Sequence, residues 1–112
     1  MNHHLLKKKC EACEGGAKPL AAGEANSYMD EVIDWVLSDD AKMISKKFQF
    51  GDFVKAINFV EGVADIAEME GHHPDIHIWY NKVTLELSTH SIKGLSENDF
   101  IVAAKIDQIP HF

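Results

Sequence analysis

The chain has 112 residues, of which 46% are hydrophobic and 26% are charged. These values are typical of one globular domain with a core of its own. The net charge of −7 disfavours direct binding to nucleic acid, because a phosphate backbone attracts cationic surfaces. No apolar run approaches the ~18 residues of a membrane span, and no signal peptide follows Met1. We therefore expect a cytoplasmic protein that does not bind a membrane.

The beginning of the chain has few apolar residues and carries two cysteines, Cys10 and Cys13. This composition predicts a flexible N-terminal tail over residues 1–20 and a single folded domain over residues 21–112. A Cys-x2-Cys pair supplies half of a zinc site. His3 and His4, or a partner chain, would have to complete it, and an incidental pair of cysteines is the simpler interpretation.

Two elements are predicted between residues 23 and 50. Ala25, Met29, Val32 and Ile33 recur at helical spacing, which predicts a first helix over residues 23–34. The turn signal Ser38-Asp39-Asp40 and the apolar alternation that follows it then predict a β-hairpin over residues 35–50.

The clearest helix signal runs from Asp52, a good N-cap, to Glu70. Gly71 suits the left-handed conformation that often ends a helix. Pro74 disfavours a helical conformation at His73, so two histidines are expected just beyond the helix end. The predicted core face of this helix comprises Phe53, Ala56, Ile57, Val60, Val63, Ala64 and Ala67.

The last third of the chain predicts two strands and a helix. Strands over residues 76–80 and 83–89 are joined at Asn81-Lys82, where asparagine tolerates the positive φ of a tight turn. A capping pattern at Ser96 begins the final helix. The order α-β-β-α-β-β-α predicts an α+β fold, a four-stranded antiparallel sheet with three helices on one face. One sheet face or edge is left open, which favours self-association.

Three histidines, His72, His73 and His90, dominate the candidate functional residues. Imidazole both gives and takes a proton near neutral pH, so this cluster indicates acid–base chemistry. Capping of the preceding helix is a purely structural alternative for His72 and His73. A three-histidine zinc site is a further alternative, which adjacent ligands on an extended chain disfavour. His77, in mid-strand, is interpreted as a surface residue.

Two carboxylates accompany the histidines. Asp99 completes the pattern Ser96-x-x-Asp99, so it either caps the last helix or orients a histidine, and the sequence alone leaves both roles open. Glu68 lies in the last turn of its helix, where the helix dipole disfavours an acid. That position indicates another role for its side chain.

These residues form a pattern that resembles a known family. Glu-x3-His-His-Pro is followed at fixed spacing by Tyr80, His90 and Asp99, and this signature is similar to that of the pterin-4a-carbinolamine dehydratases. The likeness runs from about Trp35 to Ile106. Its further matching segments are Phe48-x-Phe50, Asp52-Phe53, Tyr80-Asn81-Lys82-Val83, Ser88-Thr89-His90 and Gly94-Leu95-Ser96.

The resemblance implies a fold that agrees with the predicted order of elements, and it implies an activity. The reaction would be the loss of water from 4a-hydroxytetrahydropterin to give quinonoid dihydropterin, a step of tetrahydrobiopterin recycling. It would need neither a metal nor a cofactor. By position, His72 and His90 would transfer protons, and His73 would bind and orient the pterin. Glu68 and Asp99 would support them, and Gly71, Ser88, Thr89 and Ser91 would line the pocket.

The resemblance also bears on partners. It implies a homo-oligomer, either a dimer or a tetramer, and it allows a regulatory contact with an aromatic amino acid hydroxylase. Mammalian relatives also act as dimerisation cofactors of a homeodomain transcription factor, so a binding module is the alternative from another class. Replacing His72 or His90 separates the two, because it would abolish an enzyme and barely disturb a scaffold. A zinc hydrolase is the third alternative, and it would carry stoichiometric metal.

Overall fold

The computed structural model describes residues 4–10 and 18–110. Helix α1 spans Ala22–Met29, α2 spans Phe53–Glu70 and α3 spans Glu97–Asp107. Strands β1 to β4 span Val36–Leu37, Ile44–Gln49, Asp75–Trp79 and Lys82–Leu87. The α+β class, the four-stranded antiparallel sheet and the order α-β-β-α-β-β-α are all confirmed.

Helix α2 begins and ends where the sequence predicts. The Asp52 carboxylate accepts a hydrogen bond from the Lys55 amide at 2.9 Å and so satisfies one of the unpaired donors of the first turn. Gly71 ends the helix with φ 64°, and its amide donates to the Ala67 carbonyl. The buried face differs in part from the prediction, because Phe59 is buried while Phe53 is 48% exposed.

The sheet has the strand order β1-β2-β4-β3, so β1 and β3 are its edges. Val83, Leu85 and Leu87 of β4 are fully buried and face the helices, as their alternation predicts. The β3–β4 pair runs from Asp75 opposite Glu86 to Trp79 opposite Lys82. The start of β3 therefore lies at the same end of the sheet as the end of β4, and this end carries the candidate residues.

Some boundaries in the predicted elements are wrong. Helix α1 ends at Met29 and not at residue 34, because the chain turns there and reaches a left-handed conformation at Asp34, with φ 60°. Strand β4 stops at Leu87 rather than at residue 89. In the β3–β4 turn, the positive φ of 49° belongs to Tyr80 and not to Asn81. The Asn81 side chain instead donates to the Phe50 carbonyl.

The N-terminal segment departs from the expected tail in one respect. Leu5 is 1% exposed and belongs to the hydrophobic core, and the short 3-10 helix His4–Lys7 that carries it packs on α3. Residues 4–10 therefore contribute to the core that the sequence assigns to later elements alone. Cys13 and His3 lie outside the described residues, as does the side chain of His4.

Within residues 4–10 and 18–110, no helix is long and apolar enough to cross a membrane.

Candidate active site

His72 is held at the C-terminal end of α2. Its amide donates to the Ala67 carbonyl at 3.2 Å, which fixes its backbone to the last helical turn. This geometry depends on the left-handed conformation of Gly71, which a residue without a Cβ adopts with least strain. The chain then leaves the helix through Pro74 and enters β3. The His72 side chain is 13% exposed, so it is enclosed but within reach of a bound molecule.

Asp99 is the centre of the site and is completely buried. Its Oδ1 lies 2.6 Å from His72 Nε2, and its Oδ2 accepts from the Thr89 hydroxyl at 2.8 Å and from the Ser96 amide at 3.0 Å. The sequence left open whether Asp99 caps α3 or orients a histidine. In the structure, one carboxylate contacts both the His72 ring and the Ser96 amide at the start of α3.

The Asp99 contact determines which nitrogen of His72 is available. A carboxylate only accepts hydrogen bonds, so the proton of neutral His72 lies on Nε2. Nδ1 is then the ring nitrogen that carries no proton.

His90 lies beyond the end of β4, in the short 3-10 helix His90–Ile92, and it is exposed. The preceding residue, Thr89, pairs with Gly94 across the turn and donates its hydroxyl to Asp99. Asp99 therefore connects His72 directly with the residue next to His90, across three separate parts of the chain.

His73 pairs with Glu68 on the surface at 2.5 Å. Their side chains are 57% and 79% exposed, so solvent screens the interaction and its contribution to stability is small. The exposed ring of His73 remains accessible to a ligand.

The remaining predicted site residues lie around this group. Gly71 and Ser91 are exposed and Ser88 is half-buried, whereas Thr89 is buried. The Thr89 hydroxyl lies between Asp99 and the Ser96 hydroxyl, 2.8 Å from each. It therefore supports Asp99 from within. Among the described residues, no three His, Cys, Asp or Glu side chains are arranged to hold a metal ion.

Comparison with known proteins places the chain in a family. The family model described as pterin 4 alpha carbinolamine dehydratase matches residues 18–109. The chain belongs to this family. It is 43% identical over 105 residues to a protein of Halorhodospira halophila and 44% identical over 105 residues to one of Methylococcus capsulatus. Both carry the provisional name pterin-4-alpha-carbinolamine dehydratase, and the matches cover 94% of this chain and 96% and 92% of theirs.

Two solved structures are also similar. A Brucella melitensis protein described as a transcriptional coactivator/pterin dehydratase superposes with a TM-score of 0.75 at 34% identity, covering 80% of this chain and 95% of that one. A pterin dehydratase-like protein identified as a RuBisCO assembly factor superposes with a TM-score of 0.58 at 24% identity, covering 69% and 89%. The second likeness concerns the fold alone.

A buried ion pair lies beside the site. Glu70 is the last residue of α2, its side chain is 1% exposed, and it accepts from Lys105 Nζ at 2.6 Å and from the Cys10 amide at 2.9 Å. Burial acts to raise the pKa of Glu70, but the Lys105 ammonium and the Cys10 amide outweigh it and lower the pKa. Sequence reasoning missed this pair. The sequence feature that could have revealed it is Glu70 itself, an acidic residue at the end of a helix in a position that faces the core.

A third histidine–carboxylate pair lies on the open face of the sheet, away from Asp99. His77 Nε2 is 2.8 Å from Glu86, and the two side chains are 46% and 29% exposed. A groove of about 520 Å³ on this face is lined by residues that include Lys47, Trp79 and Lys82. The groove lies at the turn end of the β3–β4 hairpin, roughly 13 Å along β3 from the end of the sheet that carries Asp99 and His72. His77 is therefore a suitable control for substitutions of His72, because it also contacts a carboxylate but lies away from Asp99.

Proposed function

We propose that the protein is an acid–base dehydratase that converts 4a-hydroxytetrahydropterin to quinonoid dihydropterin and water, as in tetrahydrobiopterin recycling. The observation that carries the proposal is the bond between His72 and buried Asp99, shared with Thr89 next to His90. Family membership supports the pterin substrate and the dehydration. The proposed setting is the cytoplasm, as expected from the sequence.

The reaction needs two proton transfers and no outside electron source. An acid donates a proton to the hydroxyl at C4a, the C4a–O bond breaks, and water leaves. A base removes the proton from N5, and the nitrogen electron pair forms the new C4a=N5 double bond. His72 and His90 are the proposed proton-transfer pair, and either one can be the acid with the other as the base. Positioned groups of this kind accelerate a reaction by about 10²–10⁴-fold.

The other residues have binding roles in this proposal. His73, whose ring is exposed, would orient the pterin. Gly71, Ser88 and Ser91 would line the pocket through backbone and hydroxyl groups, and Thr89 would act through its bond to Asp99. All the proposed chemistry uses side chains of this chain, so we expect activity without a cofactor or added metal.

The test is the dehydration of freshly generated 4a-hydroxytetrahydropterin, followed by ultraviolet absorbance. The wild-type protein, treated with a chelator, is compared with His72→Ala and His90→Ala. His77→Ala is the matched control, since it removes a histidine that also bonds to a carboxylate but lies on the open sheet face. The proposal expects acceleration by the wild type and by His77→Ala, and a loss of about 10²-fold or more in the two site variants.

Two results would contradict the proposal. A folded wild-type protein that does not accelerate the dehydration would exclude the activity. Full activity in both His72→Ala and His90→Ala would exclude the assigned residues. A partner-binding role of the kind named for the Brucella melitensis protein would survive these substitutions, so the same variants separate it from catalysis.

We also propose that the chain forms a homo-oligomer through the edge strand β3. All five residues of this strand are exposed, among them Ile76, Ile78 and Trp79, at 36%, 38% and 58%. An exposed apolar edge strand readily pairs with another strand. Light scattering after size exclusion gives the mass, and hydrogen exchange shows whether β3 amides are protected. A monomer with unprotected β3 would exclude this assembly.

A complex with an aromatic amino acid hydroxylase is a separate proposal, tested by co-elution.

A further inference from the structure

Glu70 joins three parts of the chain at the end of α2. Its Oε2 lies 2.6 Å from Lys105 Nζ on α3, and its Oε1 accepts from the Cys10 amide at 2.9 Å. The carboxylate is almost fully enclosed, whereas the Lys105 side chain is 19% exposed. Breaking a buried pair of this kind leaves one charge without its partner, so the structure around it must move or admit water.

Helix α2 is thereby attached to α3 at two points. In the first turn of α3, Asp99 binds His72. Six residues and about 9 Å further along the same helix, Lys105 binds Glu70. Apolar residues of α2 also pack in the core with α3, and the two polar contacts add fixed hydrogen-bond geometry at the end of α2. These two contacts restrain that end of the helix, and His72 follows Glu70 by only two residues.

The third partner of Glu70 comes from residues 5–10, which we call the N-terminal strap. Leu5 is buried in the core, and the Cys10 thiol points at the Asn98 carbonyl at 3.6 Å. Lys8 forms an ion pair with Glu97 at 2.8 Å. The strap thus lies along the first turn of α3, next to Asp99, and its last residue reaches the end of α2.

We propose that Glu70 is a positioning residue for His72, and that the strap belongs to the framework of the active site because the Cys10 amide holds the Glu70 carboxylate. The inference rests on the proposed function for its effect on rate. Its structural part, the orientation of the His72 ring, is independent of what the site binds. Glu70 does not touch the substrate, so it acts only through the position of His72.

The first test compares Glu70→Gln with Asp107→Asn. Asp107 is the matched control because, like Glu70, it is a buried carboxylate with a lysine partner, Lys46 at 2.9 Å. It belongs to α3 and lies about 12 Å along that helix from Asp99. Both variants should lose stability. We expect Glu70→Gln alone to lower kcat, by about 10-fold or more, with KM changed less than threefold.

The second readout is the ¹⁵N NMR spectrum of the His72 ring, assigned by comparison with His72→Ala. We expect the ring nitrogen signals to move in Glu70→Gln and to stay unchanged in Asp107→Asn. Unchanged His72 signals in folded Glu70→Gln would overturn the proposal. The NMR spectrum reports the position of the His72 ring whether or not the wild type is a dehydratase. A failure of the dehydratase proposal is therefore distinguishable from a failure of the proposed role of Glu70.

The strap is tested at Cys10. Cys10→Pro removes the amide hydrogen that Glu70 accepts, whereas Cys10→Ala keeps it and removes only the thiol. We expect Cys10→Pro to reproduce the kcat loss and the His72 signal shift of Glu70→Gln, and Cys10→Ala to resemble the wild type. Equal behaviour of the two Cys10 variants would overturn the role of the strap.

Discussion

Replacing Asp99 with asparagine is the most direct test of the site, because it keeps the side-chain shape and removes the charge. In the wild type, Asp99 accepts from His72, Thr89 and Ser96, at 2.6, 2.8 and 3.0 Å. An asparagine presents one oxygen and one NH₂ group. Whichever way the amide lies, its NH₂ group faces at least one N–H donor, either His72 Nε2–H or the Ser96 amide.

The expected cost in stability follows from these contacts. A hydrogen bond to a charged group contributes about 1.5–3 kcal/mol, and a buried donor without a partner costs about 1–3 kcal/mol. Asp99 has no exposed surface through which water could replace the lost acceptor. We therefore expect Asp99→Asn to lower the free energy of unfolding by about 2–4 kcal/mol, measured by urea denaturation. A domain of ordinary stability, about 5–15 kcal/mol, remains folded after this loss.

The expected effect on catalysis is larger. The amide either turns its NH₂ group towards His72, which moves the ring proton to Nδ1, or presents a neutral oxygen that holds the Nε2 proton less strongly than the carboxylate does. We expect kcat of the dehydratase assay to fall by about 10²–10⁴-fold, the contribution of an acid–base group. Asp107→Asn should lose similar stability and retain kcat, since Asp107 binds Lys46 and Trp35 at the other end of α3. A folded Asp99→Asn protein with kcat within twofold of the wild type would refute the reasoning.

Three further predictions concern stability, each measured by chemical denaturation. Leu5→Ala should cost about 2–4 kcal/mol if the strap packs as described; a change below 0.5 kcal/mol, on the scale of a surface substitution, would exclude that packing. Gly71→Ala should cost about 1 kcal/mol from backbone strain alone, since no atom within 4 Å would meet the added Cβ. The lowered pKa of Glu70 contributes stability above its unfolded value of about 4.5, which is lost as the pH falls through the folded pKa. Glu70→Gln should therefore flatten the acid side of the stability profile, and an unchanged acid side would contradict the assignment.

Helix α2 and its end were predictable because their signals are local. Asp52 accepts from an amide three residues away, and Gly71 supplies a backbone conformation that depends on little beyond itself. Helix α1 shows the opposite case. Val32 is buried after the helix has ended, so its spacing from Ala25 and Met29 resembled a helical period although a turn delivers it to the core.

The sequence indicated which residues belong to the candidate site but not how they are arranged. The spacing of His72, His90 and Asp99 indicated a cluster, and the structure joins His72 to Asp99 and to Thr89 beside His90. The contacts of Glu70 could not be inferred, since its partners lie 60 residues before it and 35 residues after it. Such pairs depend on how the helices and the strap cross, which periodicity does not report.

Helix α3 explains why a carboxylate can act from inside this fold. Eight of its eleven residues are buried, so it has no solvent face of the kind that ordinary amphipathic helices show. The sheet, α2 and the N-terminal strap enclose it, and each enclosing element also receives a polar contact from it, through Lys46, His72 or Cys10. Because α3 links these elements, the loss of one contact changes how the helix is held against the others. The precision of the His72–Asp99 bond is therefore a property of the whole helix environment, and substitutions in the strap should reach the site although no strap residue belongs to the family signature.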